Sequence, residues 1–145
     1  MKNIILFCLI SLFTSIQGNA QTTYNEILDT FFSFYEEGNT DQAIDYIFST
    51  NAYLDGAQQQ ISGIKEKLRT VKSVIGTYYG YEQIEVREAG THYVYVRCIV
   101  RHDRQPLFFT FLMYKPDKSW QLQTLRFDDK IEDAEMKQFQ NILQK

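Results

Sequence analysis

The segment HYVYVRCIVRHDRQPLFFTFLMYK, residues 92–115, contains two apolar runs separated by a short polar stretch. In the first run, valine and cysteine alternate with tyrosine and arginine, which is the two-residue period of a half-buried strand. The second run is rich in phenylalanine, which also favours a strand. Residues 103–106 lie between the runs and end in proline, as is typical of a turn. The segment therefore predicts two antiparallel strands joined by a short connection.

Two further strands flank this pair along the chain. The dipeptides Ala89-Gly90 and Pro116-Asp117 have turn-forming residues and separate each flanking strand from the pair. Because strands joined by short connections pair with each other, we predict a four-stranded antiparallel meander. Its predicted strands are residues 82–88, 92–102, 107–115 and 120–128.

Helical periodicity dominates the chain before the sheet and returns after it. Thr23 can cap a first helix that runs to about residue 37, and Gly38 can end it in a left-handed conformation. A second helix begins at Thr40 or Asp41, and a third spans about residues 58–75. Residues 129–132 resemble a capping box and predict a C-terminal helix. The predicted fold class is therefore α+β, with N-terminal helices packed on a curved sheet.

Pairing each hairpin symmetrically about its turn assigns the strand side chains to two faces. This register places Val86 opposite Val94, and Val96 opposite both Ile84 and Leu112. The inner face, which should pack under the helices, then carries Val94, Val96, Cys98, Val100, Phe108, Thr110, Leu112, Tyr114, Trp120, Leu122, Thr124 and Arg126. The outer face carries Glu85, Arg87, Tyr93, Tyr95, Arg97, Arg101, Leu107, Phe109, Phe111, Met113, Leu125 and Phe127.

Four inner-face residues are the candidate ligand-binding residues: Tyr114, Trp120, Thr124 and Arg126. They are polar or amphipathic in an otherwise apolar surface, and a buried polar group needs a partner. Arg126 is the one cation predicted on this face, so it could hold an anionic group. The alternative is that ordinary protein neighbours satisfy these side chains.

The outer face is predicted to carry an exposed patch of a size that is unusual for a monomer. A C-terminal helix, a second copy of the chain in a homodimer, or a partner protein could cover it. The candidate interface residues are Tyr93, Tyr95, Arg97, Arg101, Phe109 and Phe111, since tyrosine and arginine are enriched at protein contacts. The alternative is a solvated ladder of side chains, in which Glu85 lies near Arg97.

The first 20 residues resemble a cleavable signal peptide. Lys2 precedes an apolar run, and small residues at Gly18 and Ala20 suit cleavage before Gln21. This run is shorter than the roughly 20 residues that span a bilayer. We therefore expect a periplasmic or secreted protein with one domain over residues 21–145. Its formal charge would change from −3 to −4 on loss of Lys2, which argues against broad binding to nucleic acid or anionic membranes.

In several short sequence segments, the chain resembles the nuclear transport factor 2-like (cystatin-like α+β) superfamily, in particular its small exported bacterial members of unknown function. The resemblance covers about residues 24–129 and rests on element order together with residues 37–39, 93–97, 111–116 and 120–128. It implies a sheet curled like a cone around the helices. A pocket often opens there in that superfamily, and many members form dimers through the sheet.

The superfamily includes ketosteroid-isomerase-like and dehydratase-like enzymes, which place an acid or a His–Asp pair inside the cone. The inner face predicted here carries neither, so no catalytic residue is transferred. The two histidines, ten residues apart, make a weak metal site, and we expect no metal or other cofactor. The sequence thus favours a non-catalytic binding domain, with a small apolar or anionic ligand in the cone or a protein on the outer face. An isomerase- or hydrolase-like enzyme and a dimeric structural protein are the alternatives.

Overall fold

The computed structural model describes residues 22–130, in which three α-helices precede a four-stranded antiparallel sheet. The helices are α1 (Tyr24–Glu36), α2 (Thr40–Ser49) and α3 (Gln58–Ile75), with a short 3-10 helix at Ala52–Ala57 before α3. The strands are β1 (Tyr78–Ala89), β2 (Tyr93–His102), β3 (Leu107–Tyr114) and β4 (Gln121–Asp128), and they pair in chain order. The predicted α+β class and meander are confirmed. The predicted signal peptide and C-terminal helix lie outside the described residues.

The ends of α1 follow from its local sequence. Thr23 Oγ1 accepts a hydrogen bond from the Glu26 backbone N–H at 3.2 Å, and Glu26 Oε2 accepts one from the Thr23 N–H at 2.6 Å. This reciprocal capping box satisfies two of the N–H groups that a helix start leaves unpaired. Gly38 follows the helix with a φ of +87°, a region that favours glycine. Both predicted boundaries are confirmed.

The sheet begins earlier than predicted, at Tyr78 instead of residue 82. The end of β2 holds this segment in place, because the Asp103 N–H donates to the Thr77 carbonyl at 3.2 Å. In return, Asp103 Oδ2 accepts from the Thr77 N–H at 2.8 Å. The Arg104 N–H donates to the Ile75 carbonyl, the last residue of α3, at 3.1 Å. The loop after β2 therefore ties the sheet to the end of α3.

The predicted register between β2 and β3 is wrong by one residue. Val96 pairs with Phe111, not with Leu112, and Val100 pairs with Leu107. A symmetric hairpin would have buried Thr110 and Tyr114 beneath the helices. The observed register buries Phe109 and Phe111 instead, and each is 0% exposed. Since a shift of one residue exchanges the two faces of a strand, the apolar pattern selects the register that buries the larger rings.

The faces of β4 are also reversed over most of its length. Leu122 pairs with Met113 and stays on the inner face, but Thr124 pairs with Leu112, so the register shifts between these pairs. Beyond this bulge, Leu125 and Phe127 point inward and are 9% and 7% exposed. Such a bulge re-aims every side chain that follows it. Leu107, Phe109, Phe111, Met113, Leu125 and Phe127 were predicted on the outer face and lie inside.

A second bulge, at Ile84 in β1, separates the pair Gln83–Cys98 from the pair Glu85–Arg97. Val86 consequently pairs with Val96, two residues from its predicted partner. The inner face of β2 was nevertheless predicted correctly, since Val94, Val96, Cys98 and Val100 are all 0% exposed. Burial raises the pKa of the Cys98 thiol to about 12, so this cysteine stays protonated at neutral pH, as expected of an inert core residue.

Candidate functional site

Aromatic rings fill the space between the helices and the sheet. Phe31 and Phe32 of α1 each contact Phe109 and Phe111 of β3, with ring centroids 5.4 to 5.9 Å apart. All four side chains are almost completely buried. Tyr81 stacks on Phe32 at 3.8 Å. Edge-to-face and stacked rings at these distances form a packed core, so this ring cluster occupies the place where the sequence predicted a cone-shaped pocket.

The structure does not bring the four predicted ligand-binding residues together. Thr124 and Arg126 lie on the outer face, opposite Leu112 and Thr110 in the register, which corrects their predicted inward direction. Tyr114 also lies on the outer side and is 39% exposed at the end of β3. Trp120 remains on the helix side, where its ring meets Tyr24 of α1 edge-to-face at 5.3 Å.

The six predicted interface residues divide in the same way. Tyr93, Tyr95, Arg97 and Arg101 belong to the outer face of β2, as predicted. Phe109 and Phe111 lie in the core and cannot contact a partner on the outer face. The physical reason is the register, which turns the two phenylalanines toward α1.

A surface cleft of about 220 Å³ opens at one end of the sheet, beside the turn between β1 and β2. We call it the hairpin cleft, and its lining residues are Glu88, Gly90, Thr91, Tyr93 and Trp120. Gly90 has a φ of +64°, which lets the chain reverse tightly and brings both sides of the turn to the cleft. The turn position was predicted from Ala89-Gly90, and two lining residues, Tyr93 and Trp120, were among the predicted site residues.

Both rings of the hairpin cleft contact another aromatic ring. Trp120 contacts Tyr24 on the helix side, and the Lys115 ammonium group lies 5.1 Å from the centre of its ring system. Tyr93 is 37% exposed, and its ring lies 6.4 Å from that of Tyr114. The Lys115 N–H donates to the His92 carbonyl at 2.8 Å and closes this end of the sheet. The cleft therefore has two aromatic lining residues, of which Trp120 has the closer ring contact.

Glu88 and Thr91 are the lining residues that sequence reasoning missed as functional candidates. Both are exposed polar residues beside a turn, a pattern that occurs at most hairpins and carries no chemical signal by itself. Only the position of Trp120, from a different part of the chain, makes them part of one cleft. The carboxylate of Glu88 can accept hydrogen bonds, and the Thr91 hydroxyl can donate and accept them.

A buried polar cluster lies at the opposite end of β2. The Tyr35 hydroxyl is 3.1 Å from His102 Nε2, and the Lys72 ammonium group donates to the Tyr35 carbonyl at the end of α1. Burial lowers the pKa of His102 and Lys72 and raises that of Tyr35. A lysine at a helix C-terminus satisfies a carbonyl that the helix leaves unpaired. This cluster therefore joins α1, α3 and β2.

The nearest carboxylate to this histidine along the chain is engaged elsewhere. Asp103 accepts hydrogen bonds from the Thr77 N–H and the Tyr79 hydroxyl, and these bonds lower its pKa. Within residues 22–130, no group of three or more histidine, cysteine or acidic side chains is placed to hold a metal ion. Over the same residues, no helix is both long and apolar enough to cross a bilayer.

Comparison of the chain with protein-family models, with curated proteins and with solved structures finds no match. The resemblance to the nuclear transport factor 2-like superfamily therefore stays a prediction, based on the order of the secondary-structure elements and on short sequence segments.

Proposed function

We propose that the protein is a non-catalytic binding domain that holds a small ring-shaped ligand with polar substituents in the hairpin cleft. The observation that carries this proposal is the placement of one tryptophan and one tyrosine beside a carboxylate in a single concave site. Binding sites commonly combine aromatic walls with a few polar groups that fix the orientation of the ligand.

The size and the chemistry of the cleft favour a single sugar ring. Its volume of about 220 Å³ is below the roughly 300 to 1,000 Å³ of pockets for drug-sized ligands. A pyranose has an apolar face that suits the Trp120 and Tyr93 rings. Its hydroxyl groups can bond to Glu88 and Thr91. We therefore place one unit of a neutral carbohydrate in the cleft.

The hairpin cleft lies in a different place from the cone-shaped pocket that was predicted from sequence. A small apolar or anionic ligand in the cone would compete with the ring cluster for space. Arg126, the predicted anion partner, lies on the outer face and not beside Trp120. The hairpin cleft keeps Trp120 and Tyr93 and needs no rearrangement of the core.

Export and superfamily membership stay proposals that support this function without being required for it. A signal peptide in residues 1–20 would bring the domain to the periplasm or outside the cell, where carbohydrate polymers are abundant ligands. The cone-shaped superfamily fold would account for the helices lying on one face of the sheet.

The proposal can be tested with the chain's only tryptophan as the reporter. We expect the fluorescence of Trp120 to change in a saturable way on titration with at least one of glucose, N-acetylglucosamine or cellobiose at millimolar concentration. Glu88→Gln should weaken the binding of that sugar about 10- to 100-fold, because a hydrogen bond to a charged group contributes about 1.5 to 3 kcal/mol. If none of the three sugars changes the Trp120 fluorescence in a saturable way, the proposed ligand class is contradicted.

A second cleft supplies the matched control. It is bounded by residues of the 3-10 helix and of the loop before β4, among them Tyr53, Asp117 and Lys118. Tyr53 is 91% exposed, so Tyr53→Ala removes an aromatic ring without disturbing the core. This variant should bind the sugar as the unchanged protein does. If Tyr53→Ala abolishes binding and Glu88→Gln leaves it intact, the site lies in the second cleft.

A homodimer through the outer face is the second candidate, and it stays a proposal. Tyr93, Tyr95 and Arg101 lie on the outer face, where they can contact a second copy. Arg97 is only 4% exposed, and Phe109 and Phe111 lie in the core. Light scattering of the purified protein distinguishes a monomer from a dimer directly.

A further inference from the structure

The outer face of the sheet carries a row of charged and polar side chains that crosses all four strands. Glu85 pairs with Arg97, Arg97 pairs with Thr110, and Thr110 pairs with Arg126. Apolar or half-buried side chains flank this row on both sides: Tyr95 and Leu112 on one, Ile99 and Phe108 on the other. We call this surface the arginine face.

Three residues in the middle of the arginine face are buried. Arg97 is 4% exposed, Phe108 is 5% exposed and Thr110 is 5% exposed. Phe108 is nevertheless not part of the inner core cluster. The Arg97 guanidinium lies 5.3 Å from the centre of the Phe108 ring, which accounts for part of this burial.

The described helices lie on the other side of the sheet. Within residues 22–130, the hydrogen bonds, ion pairs and ring contacts between helices and sheet involve the inner face or the sheet ends. Examples are Phe31 with Phe109, Lys67 with Phe127, and the Tyr35 hydroxyl with His102. A side chain as long as arginine is rarely almost fully buried on a sheet face that is open to water.

We propose that the C-terminal segment of this same chain, residues 131–145, packs across the arginine face. Its sequence matches the face in charge and in apolar pattern. Two acids near its start, Glu132 and Glu135, lie on or beside the apolar stripe described next and can pair with Arg97 and Arg126. Its apolar residues, Ile131, Ala134, Phe139, Ile142 and Leu143, are spaced to form one stripe on a helix.

The length and the attachment point of the segment also fit. Only two residues separate it from β4, whose last residue, Asp128, pairs with Phe108 on the arginine face. As a helix the segment would be about 22 Å long, whereas four strands span only about 15 Å. It therefore reaches across the sheet from the β4 edge.

Covalent attachment favours this segment over a second copy of the chain. A tethered partner acts at an effective concentration in the millimolar range, whereas a separate copy must associate from solution. A dimer would also need roughly 800 Å² of surface from each partner. Docking of the segment supplies the cover without a second molecule, and it would shield Arg97 and Arg126 from any anionic partner.

Disulfide trapping tests the proposal in the full chain. Thr124→Cys places a thiol on the half-buried outer face of β4, and Ala134→Cys, Gln138→Cys or Asn141→Cys places the second thiol in the segment. Cys8→Ser removes the N-terminal thiol, and Cys98 is buried and protonated. Under mild oxidation, we expect an intramolecular disulfide at the mass of one chain for at least one pair. The matched control replaces Thr124→Cys by Arg69→Cys on the exposed surface of α3.

The expected result is disulfide formation at least about 10-fold faster with Thr124→Cys than with Arg69→Cys, as an ordered contact raises the local concentration. Equal rates, no disulfide in any pair, or disulfides that only join two chains would overturn the proposal. The unaltered chain provides a second measurement by nuclear Overhauser effects. Contacts between the methyl groups of Leu112 and those of Ile142 or Leu143 are expected at protein concentrations where the chain is monomeric, and their absence would also overturn it.

Discussion

At Gly76, the backbone of the chain adopts a φ of +90° immediately after α3. A β-carbon at this position would lie 2.8 Å from Asp103 Cβ and 2.8 Å from Asp103 Oδ2. Asp103 cannot move away without cost, because it accepts hydrogen bonds from Thr77 and Tyr79. The sequence predicts that the third helix ends at about residue 75, but only the structure shows that a neighbouring loop requires a residue without a side chain at Gly76.

Gly76→Ala should therefore lower the free energy of unfolding by about 1 to 3 kcal/mol, from backbone strain together with the close contact. The matched control is Gly63→Ala in the exposed middle of α3, where nothing lies within 4 Å of the new β-carbon. That variant should raise stability by about 0.5 to 1 kcal/mol, since alanine is the better helix former. Urea unfolding of both variants measures the two values, and equal effects would contradict the backbone strain and close contact at position 76.

His102 gives stability a dependence on pH. Burial and the nearby Lys72 lower its pKa, while a backbone hydrogen bond to Val100 and the charge of Asp103 oppose this change. The net shift makes the unfolded chain bind a proton more readily than the folded chain does. The contribution of His102 to the free energy of unfolding should therefore be fully present above about pH 6.5 and should decrease as the pH falls below that value.

The substitution His102→Gln should flatten the decrease in the free energy of unfolding between about pH 7 and pH 5. Glutamine keeps a polar group near Tyr35 but does not titrate. His92→Gln, at an exposed position beside Thr91, should leave the slope of the unchanged protein intact. Urea midpoints across the pH range measure both. A slope that survives in His102→Gln would show that other groups cause it.

At the scale of the elements, strand positions were predictable and strand registers were not. Alternation in β2 identified Val94, Val96 and Cys98 as inward-facing, because valine and tyrosine differ clearly in polarity along that strand. In β3, phenylalanine and leucine occupy both faces, so the apolar pattern indicates the buried face less clearly than it does in β2. The observed register packs Phe109 and Phe111 against Phe31 of α1, and pairing the strands symmetrically about the turn does not reveal this tertiary contact.

Two neighbouring residues of β3 test the register. Phe111→Ala should cost about 3 to 5 kcal/mol of unfolding free energy, the usual cost of removing a buried ring. Leu112→Ala should cost less, at most about 2 kcal/mol, because this side chain is half-buried on the arginine face. The register of a symmetric hairpin requires the opposite order, so a larger loss at Leu112 in urea unfolding would refute the observed pairing.

At the scale of the whole molecule, the two ends of the sheet have different roles. The end that contains Gly76, Asp103 and His102 is joined to the helices by hydrogen bonds and buried side chains. The end that contains the hairpin cleft leaves aromatic side chains partly exposed. The sequence predicted Trp120 as a site residue because of its type. The cleft itself could not be predicted, since Glu88 and Trp120 are far apart in the chain and meet only through the sheet.

The most direct measurement of the central claim is a map of amide chemical shifts in the labelled protein during titration with the sugar that changes Trp120 fluorescence. Binding in the hairpin cleft should concentrate the shifts at Glu88, Gly90, Thr91 and Tyr93, together with the indole N–H of Trp120. Shifts concentrated around Tyr53 and Lys118, or among the buried residues between α1 and β3, would contradict it.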